Sequence, residues 1–197
     1  MLLRCAESEE ETAQLAQLIQ RCGVAALGVH GRFITQKPRE PAHWARIAAV
    51  VRAVPSLPVI ANGDVFAYAD FARLCDATGA AAAMCARGAQ WNASVFRAEG
   101  VVETREVRTR YVEAALAWDN SLSNTKYCLR EMLAVTPGAL QCAEAVALNA
   151  TKTPAALAAL YGLDADAAAA YRAAAAARAA QAQRTAAGDE GRKRPRD

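Results

Sequence analysis

Three short, continuous apolar runs recur along the first hundred residues: Val24-Ala25-Ala26-Leu27-Gly28-Val29, Leu57-Pro58-Val59-Ile60-Ala61, and Ala80 to Ala86 with Met84 and Cys85. None alternates polar with apolar, which is how a strand buried on both faces of a parallel sheet reads. Met1 to Cys5 is a fourth candidate, cut short by the start of the chain. The intervening segments carry the helical period instead. Glu11 to Cys22 sets Leu15, Leu18, Ile19 and Cys22 on one face, and Gly23 stops it. Trp44 to Val54 repeats the pattern with Trp44, Ile47, Val50 and Val51, and Phe66 to Thr78 repeats it with Phe66, Phe71, Leu74 and Cys75 before Gly79. The predicted order is βαβαβαβ with a strand every roughly 25–30 residues, the repeat of a TIM barrel or of a doubly wound sheet.

From about Val101 the pattern becomes wholly helical. Glu106 to Asn120 spaces Val107, Tyr111, Ala114 and Trp118 as one stripe, and Ser123 to Val135 does the same with Cys128, Leu129, Met132 and Leu133. Thr153-Pro154 reads as a cap and first-turn proline opening a helix that Gly162 closes. Asp164 to Ala187 is alanine-rich and helical by propensity, with little to bury. The end, Gly188 to Asp197, reads as a disordered basic tail. These shifts divide the chain into 1–100 (α/β), 101–163 (a small all-α domain) and 164–197 (an alanine-rich and basic tail).

Composition narrows the class. Of 197 residues 51 are alanine, so the 54 % hydrophobic share overstates what can form a core. Charged residues are 22 %, near the usual quarter, which excludes a disordered or collagen-like chain. The net charge of +3 neither demands nor excludes a nucleic-acid partner. No apolar window is long enough for a transmembrane helix, and the acidic Met1–Glu11 stretch is not a signal peptide. Six cysteines at 5, 22, 75, 85, 128 and 142 include no CxxC pair, and with only two histidines no metal site is expected. The thiols are expected reduced and mostly buried.

The unusual polar groups follow the predicted strands: His30-Gly31-Arg32, Asn62-Gly63-Asp64 and Ala86-Arg87-Gly88. In parallel α/β proteins ligands bind outside the carboxyl ends of the strands. Gly63 and Gly88 would let backbone N–H groups approach an anion and Arg87 would supply a forked cation. Read blandly, the glycines make tight turns and Arg87 pairs with a carboxylate. His30 is read as a ligand contact donating a hydrogen bond, since no nucleophile motif accompanies it. The expectation is that the imidazole, carboxamide and guanidinium at 30, 62 and 87 converge on one rim.

Residues 24–32 (Val-Ala-Ala-Leu-Gly-Val-His-Gly-Arg), 58–64 (Pro-Val-Ile-Ala-Asn-Gly-Asp) and 84–92 (Met-Cys-Ala-Arg-Gly-Ala-Gln-Trp-Asn) resemble successive motifs of the tRNA-dihydrouridine synthases. Asp119-Asn120, Asn124-Thr125-Lys126-Tyr127-Cys128-Leu129 and the Ala-Arg form of the phosphate motif resemble the eukaryotic type-2 branch, which acts on the D-loop uridine at position 20. The resemblance covers roughly residues 1 to 150. It implies an FMN-dependent oxidoreductase that uses NADPH to reduce a tRNA uridine to dihydrouridine, on a TIM barrel followed by a helical tRNA-gripping domain. By carry-over His30 contacts the flavin, Asn62, Gly63 and Asp64 lie along its ribityl and phosphate, and Ala86 and Arg87 hold the phosphate. Arg32, Asn120, Asn124, Lys126, Tyr127 and Arg130 are the implied RNA contacts. Arg97 to Arg130 holds six basic and five acidic residues, so any RNA grip there relies on placement rather than bulk charge.

Two departures accompany the match. The family's Lys-x-Arg motif aligns with Leu2 and Arg4, so the Lys contact to flavin has no counterpart. The family's catalytic Cys lies in the first half of the barrel, and none of the six cysteines sits in its motif, so no catalytic residue is assigned. The expected fold is therefore a partial TIM barrel, about the last four βα units, with the helical domain and tail behind it. Such a piece leaves open strand edges, and the expectation is that it is marginal alone, aggregates, or pairs with the missing N-terminal half or another chain. A truncated gene model and a natural short form explain this equally. The alternative function is a non-catalytic tRNA-binding remnant, and a phosphate-binding aldolase half is a third reading that leaves 106–135 unaccounted for. The expected compartment is the cytoplasm, or the nucleus if Arg192 to Arg196 is a localisation signal.

Overall fold

The computed structural model describes residues 2–135, 138–164, 170–174, 176–177, 180–181 and 183–184. The chain clusters into two compact units, Met1–Val102 and Glu103–Asp197.

The first unit opens with strand β1 (Leu2–Cys5), helix α1 (Glu9–Arg21), β2 (Leu27–Phe33), α2 (Trp44–Ala53), β3 (Val59–Asn62), α3 (Tyr68–Thr78), β4 (Ala82–Met84) and a short α4 (Arg87–Trp91). The strands form one parallel sheet in the order β1-β2-β3-β4, so the α/β class with a parallel sheet is observed. Its register aligns Leu3, Val29, Ala61 and Ala83 in one row and Arg4, His30, Asn62 and Met84 in the next. Successive side chains alternate across a sheet, so the two rows lie on opposite faces. The Leu3 row, with Cys5, Leu27 and Val59, packs against Ala16 and Ile19 of α1, Ile47 and Val50 of α2, and Leu74 of α3. The opposite face is covered only in part: Gly28 and Asn62 are buried and Ile60 half-buried, but Arg4, Ala82 and Met84 are exposed. A parallel sheet with one partly open face is atypical.

The local reasons follow sequence chemistry. Ser8 Oγ accepts the Glu11 N–H, and Glu9, Glu10 and Glu11 fill the first turn of α1, where the helix dipole favours them. Gly23 and Gly79 close α1 and α3 with positive φ. Three expectations shift. The second strand starts at Leu27 and runs through His30-Gly31-Arg32 to Phe33, because this polar segment still pairs with β1. Helix α3 starts at Tyr68 and not Phe66, because the Asp70 carboxylate accepts both the Phe66 and Ala67 N–H groups at 2.9 Å. The fourth strand is only Ala82–Met84, and Arg87–Trp91 is a helix that the sequence reading did not foresee.

The second unit holds α5 (Thr104–Ala117), α6 (Leu122–Leu133), α7 (Ala143–Ala150) and α8 (Pro154–Leu160). Val112, Leu129, Met132, Leu133, Leu148, Leu157 and Tyr161 form its core. Thr153 caps α8 as expected, its Oγ1 accepting the Ala156 N–H at 3.1 Å. The α5 stripe is one residue off: Arg108, Val112 and Ala115 are buried while Trp118 is 69 % exposed. Arg108 can be buried because Glu144 takes its Nε and Nη2 at 2.8 Å each, and the Tyr161 hydroxyl completes the carboxylate's shell at 2.9 Å. Helix α7 escaped notice because its alanines carry no hydrophobic contrast. The described residues between 170 and 184 are helical, and the predicted basic tail, 188–197, lies outside the described residues.

No described helix is long and apolar enough to cross a membrane. None of the six cysteines is in a disulfide, and no metal-ligating cluster occurs among the described residues.

Candidate functional site

At the carboxyl ends of the four strands lies a cleft of about 310 Å³. Its walls include Arg4, His30, Asn62, Met84, Asp64 and Arg87, with Gly63, Ala86 and Arg32 beside them. Every residue proposed for cofactor contact, from His30 to Arg87, is thus brought together. The convergence follows from topology. Parallel strands end at one edge, the in-register row Arg4–His30–Asn62–Met84 supplies the floor, and the loops after β3 and β4 supply the rim.

His30 is a neutral donor here. Its Nδ1 accepts the Arg32 N–H at 3.1 Å, so the single proton of the neutral ring resides on Nε2. Burial, and then the nearby Arg32 and Arg4 guanidinium groups, push its pKa down to about 4. Asn62 is 4 % exposed and lines the cleft.

The cationic side is built around one carboxylate. Asp64 Oδ1 accepts from both Arg32 Nη2 and Arg87 Nη2, the latter at 2.9 Å, and Oδ2 accepts the Ala42 N–H at 2.7 Å. Arg87 Nη1 donates to Pro38 O at 2.6 Å, and the guanidinium lies over the stacked rings of Phe66 and Trp91. Three guanidinium groups against one carboxylate leave the cleft a net cation. Gly63 is needed at its position. A Cβ there would approach the Ala42 Cβ to 2.6 Å, and its carbonyl takes the Trp44 Nε1–H at 3.0 Å. Gly88 is tighter still, a Cβ meeting Val65 O at 2.4 Å and Cys85 Sγ at 2.9 Å. Burial raises the Cys85 thiol, which donates to Val65 O at 3.3 Å, so it packs the loop and is no poised nucleophile.

Arg32 differs from its expected place on an RNA surface. It is 3 % exposed, with Nε held by Glu40 O at 2.6 Å and Nη2 by Asp64. A guanidinium so enclosed supports the cleft wall and cannot reach a polymer outside. The side chain of Leu2 lies outside what is described. Sequence reasoning left Arg4 without a role, although its alignment with the Arg of the Lys-x-Arg motif was the signal that could have found it.

In the helical unit Lys126, Tyr127 and Arg130 line a second cleft of about 490 Å³ with Ser123, Asn149 and Lys152. Lys126 Nζ is committed to Asn149 O at 3.1 Å and Thr151 O at 2.7 Å, and Arg130 Nη1 to Asn149 Oδ1 at 2.8 Å. Tyr127 is 60 % exposed. Asn120 and Asn124 are not part of this cleft: Asn120, just before α6, accepts from Asn124 and donates to Thr125 in the first turn of that helix. Lys152 was missed, since a lone lysine in a loop carries no sequence signal.

The model of the dihydrouridine synthase (Dus) family matches residues 1–183. This chain belongs to the dihydrouridine synthase family. Among its curated relatives is the tRNA-dihydrouridine(20) synthase [NAD(P)+] of Schizosaccharomyces pombe, 32 % identical over 133 residues, which are 66 % of this chain and 28 % of that protein. A probable tRNA-dihydrouridine synthase of Rhodobacter capsulatus is 42 % identical over 84 residues, 43 % of this chain and 26 % of that protein. The tRNA-dihydrouridine(16) synthase of Cupriavidus necator is 48 % identical over 67 residues, 34 % and 20 % of the respective lengths. The chain therefore spans a quarter or so of the length of these relatives.

Proposed function

We propose that this chain is the flavin-phosphate and RNA-gripping part of a tRNA-dihydrouridine synthase, an oxidoreductase that reduces a D-loop uridine of tRNA with NADPH. The observation that carries the proposal is the cationic cleft at the strand ends, lined by Asn62 and by a His30 ring whose Nδ1 is taken by the Arg32 N–H. That donor set fits FMN: the Arg87 fork and the backbone at Ala86 would hold its phosphate, Asn62 and Gly63, with Asp64 behind them, would hold the ribityl chain, and His30 would donate to a ring acceptor. When bound, FMN supplies hydride transfer to the uracil ring. The chain's own contribution is to orient flavin and base and to keep His30 neutral, so that it donates a hydrogen bond without adding charge. No proton donor to the ring is assigned.

The names of the relatives support tRNA as substrate. For the helical unit we propose RNA contact through Tyr127, Arg130 and Lys152, with Lys126 bracing the 149–151 carbonyls. The target base must leave its stack to reach a flavin. The partly open sheet face, and the β1 and β4 edges that pair with no further strand among the described residues, support a partial TIM barrel that further strands, in the same or another polypeptide, would complete. The proposed compartment is the cytoplasm. A second reading, RNA binding without catalysis, is favoured by leucine at position 2, where the resemblance expects a lysine contact to flavin.

Purified full chain titrated with FMN separates these. Yellow protein, or quenching of flavin fluorescence on binding, is the expected result. A chain that takes up no FMN yet shifts tRNA in a salt-dependent manner would refute the flavin assignment and uphold the second reading.

A further inference from the structure

We infer that Asp64 is a positioning residue: anchored by the buried Arg32, its carboxylate aims the Arg87 guanidinium into the cleft and does not itself touch the bound anion. The inference deepens the reading of the cleft as an anion site and rests on it.

The backbone supplies the first argument. Gly63 and Asp64 are consecutive residues at positive φ, +138° and +59°. Asp is one of the few residues with a side chain that tolerates this region. The turn brings three donors from three other segments onto one carboxylate: Ala42 N–H from the loop after β2, Arg32 from β2 itself, and Arg87 from the start of α4. Arg32 cannot leave, being 3 % exposed and held a second time by Glu40 O. Arg87 is the more exposed partner, its side chain 29 % exposed against 4 % for Arg32. It is held by Asp64 and Pro38 O, leaving part of its five-donor fork for a ligand.

Charge supplies the second. An ionised carboxylate accepts and cannot donate, so direct contact with a phosphate would be repulsive. By charge alone, removing Asp64 would make the cleft more cationic and tighten anion binding. By positioning, removing it releases Arg87 and weakens binding. The two accounts predict opposite signs.

The test compares wild type, Asp64→Asn, Arg87→Ala and the double variant in the full chain, titrated with inorganic phosphate and with FMN. Asparagine is isosteric and accepts positive φ, so the turn is retained. Asp64→Asn is expected to weaken phosphate by about tenfold in the wild-type background and to have no further effect once Arg87 is alanine. Tighter or unchanged phosphate binding by Asp64→Asn would overturn the inference, as would an equal loss in both backgrounds. Nitrogen-15 NMR of the arginine side chains in the ligand-free chain gives an independent readout: Arg87 is expected to be ordered in wild type and averaged in Asp64→Asn, and unaltered signals would refute the clamp. Should wild type bind neither FMN nor phosphate, the flavin reading fails, while loss of Arg87 order in Asp64→Asn still upholds the clamp. Should Asp64→Asn fail to fold, Arg87→Lys, which keeps the charge and loses the fork, reads the same aim: undiminished phosphate affinity overturns the inference.

Discussion

Protonation of His30 should weaken the fold across a defined pH window. In an unfolded chain the imidazole titrates near 6.5, whereas burial and the neighbouring guanidinium groups hold it at about 4 here. As pH falls below about 6.5 the unfolded state takes up a proton that the folded state refuses until about 4, so stability is full above the upper value and lost through this interval. At about 1.4 kcal/mol per unit the displacement caps the loss at about 3 kcal/mol. The ring opens onto a solvated cleft, where water screens the Arg32 and Arg4 charges, so about 1–2 kcal/mol is expected. The assay is urea unfolding of wild type and His30→Gln at a series of pH values, because carboxylates titrating in the same range cancel in the difference. Wild-type stability should fall relative to His30→Gln by about 1–2 kcal/mol between about pH 7.5 and about pH 4.5. A difference that stays flat would refute the burial and charge argument, and with it the neutral donor at the cleft floor.

Three further outcomes follow from the same geometry. Arg87→Ala should weaken FMN, read by fluorescence titration, by about 1–3 kcal/mol, as for a lost charge-assisted hydrogen bond. Its unfolding midpoint should barely move, since Asp64 keeps Arg32 and the Ala42 N–H; unchanged affinity would remove Arg87 from the site. Gly88→Ala forces a Cβ against the backbone oxygen of Val65 and should destabilise the first unit by about 1–3 kcal/mol in chemical denaturation. Glu144→Ala strands the buried Arg108 and should cost about 3 kcal/mol in the same assay; a neutral result would mean the pair is solvated.

Much of the architecture was legible along the chain. Uninterrupted apolar runs identified the strands because one face packs on α1, α2 and α3 while Gly28, Ile60 and Ala82 keep the other face apolar too, and the glycines at 23 and 79 ended helices because only they adopt the required φ cheaply. The cleft residues were legible too, since parallel strands deliver whatever follows them to one edge. Pairing was not legible. Nothing in the spacing of Arg32, Asp64 and Arg87 says that one carboxylate serves both guanidinium groups, or that Arg32 is thereby buried and withdrawn from any RNA surface. The displaced stripe of α5 has the same origin. Periodicity assigns charges to solvent, and only the approach of Glu144 from another helix makes Arg108 an interior residue. Local sequence determines which backbone shapes are cheap and where polar groups emerge. Which charge finds which partner depends on long-range distances, and those exist only once the chain is folded.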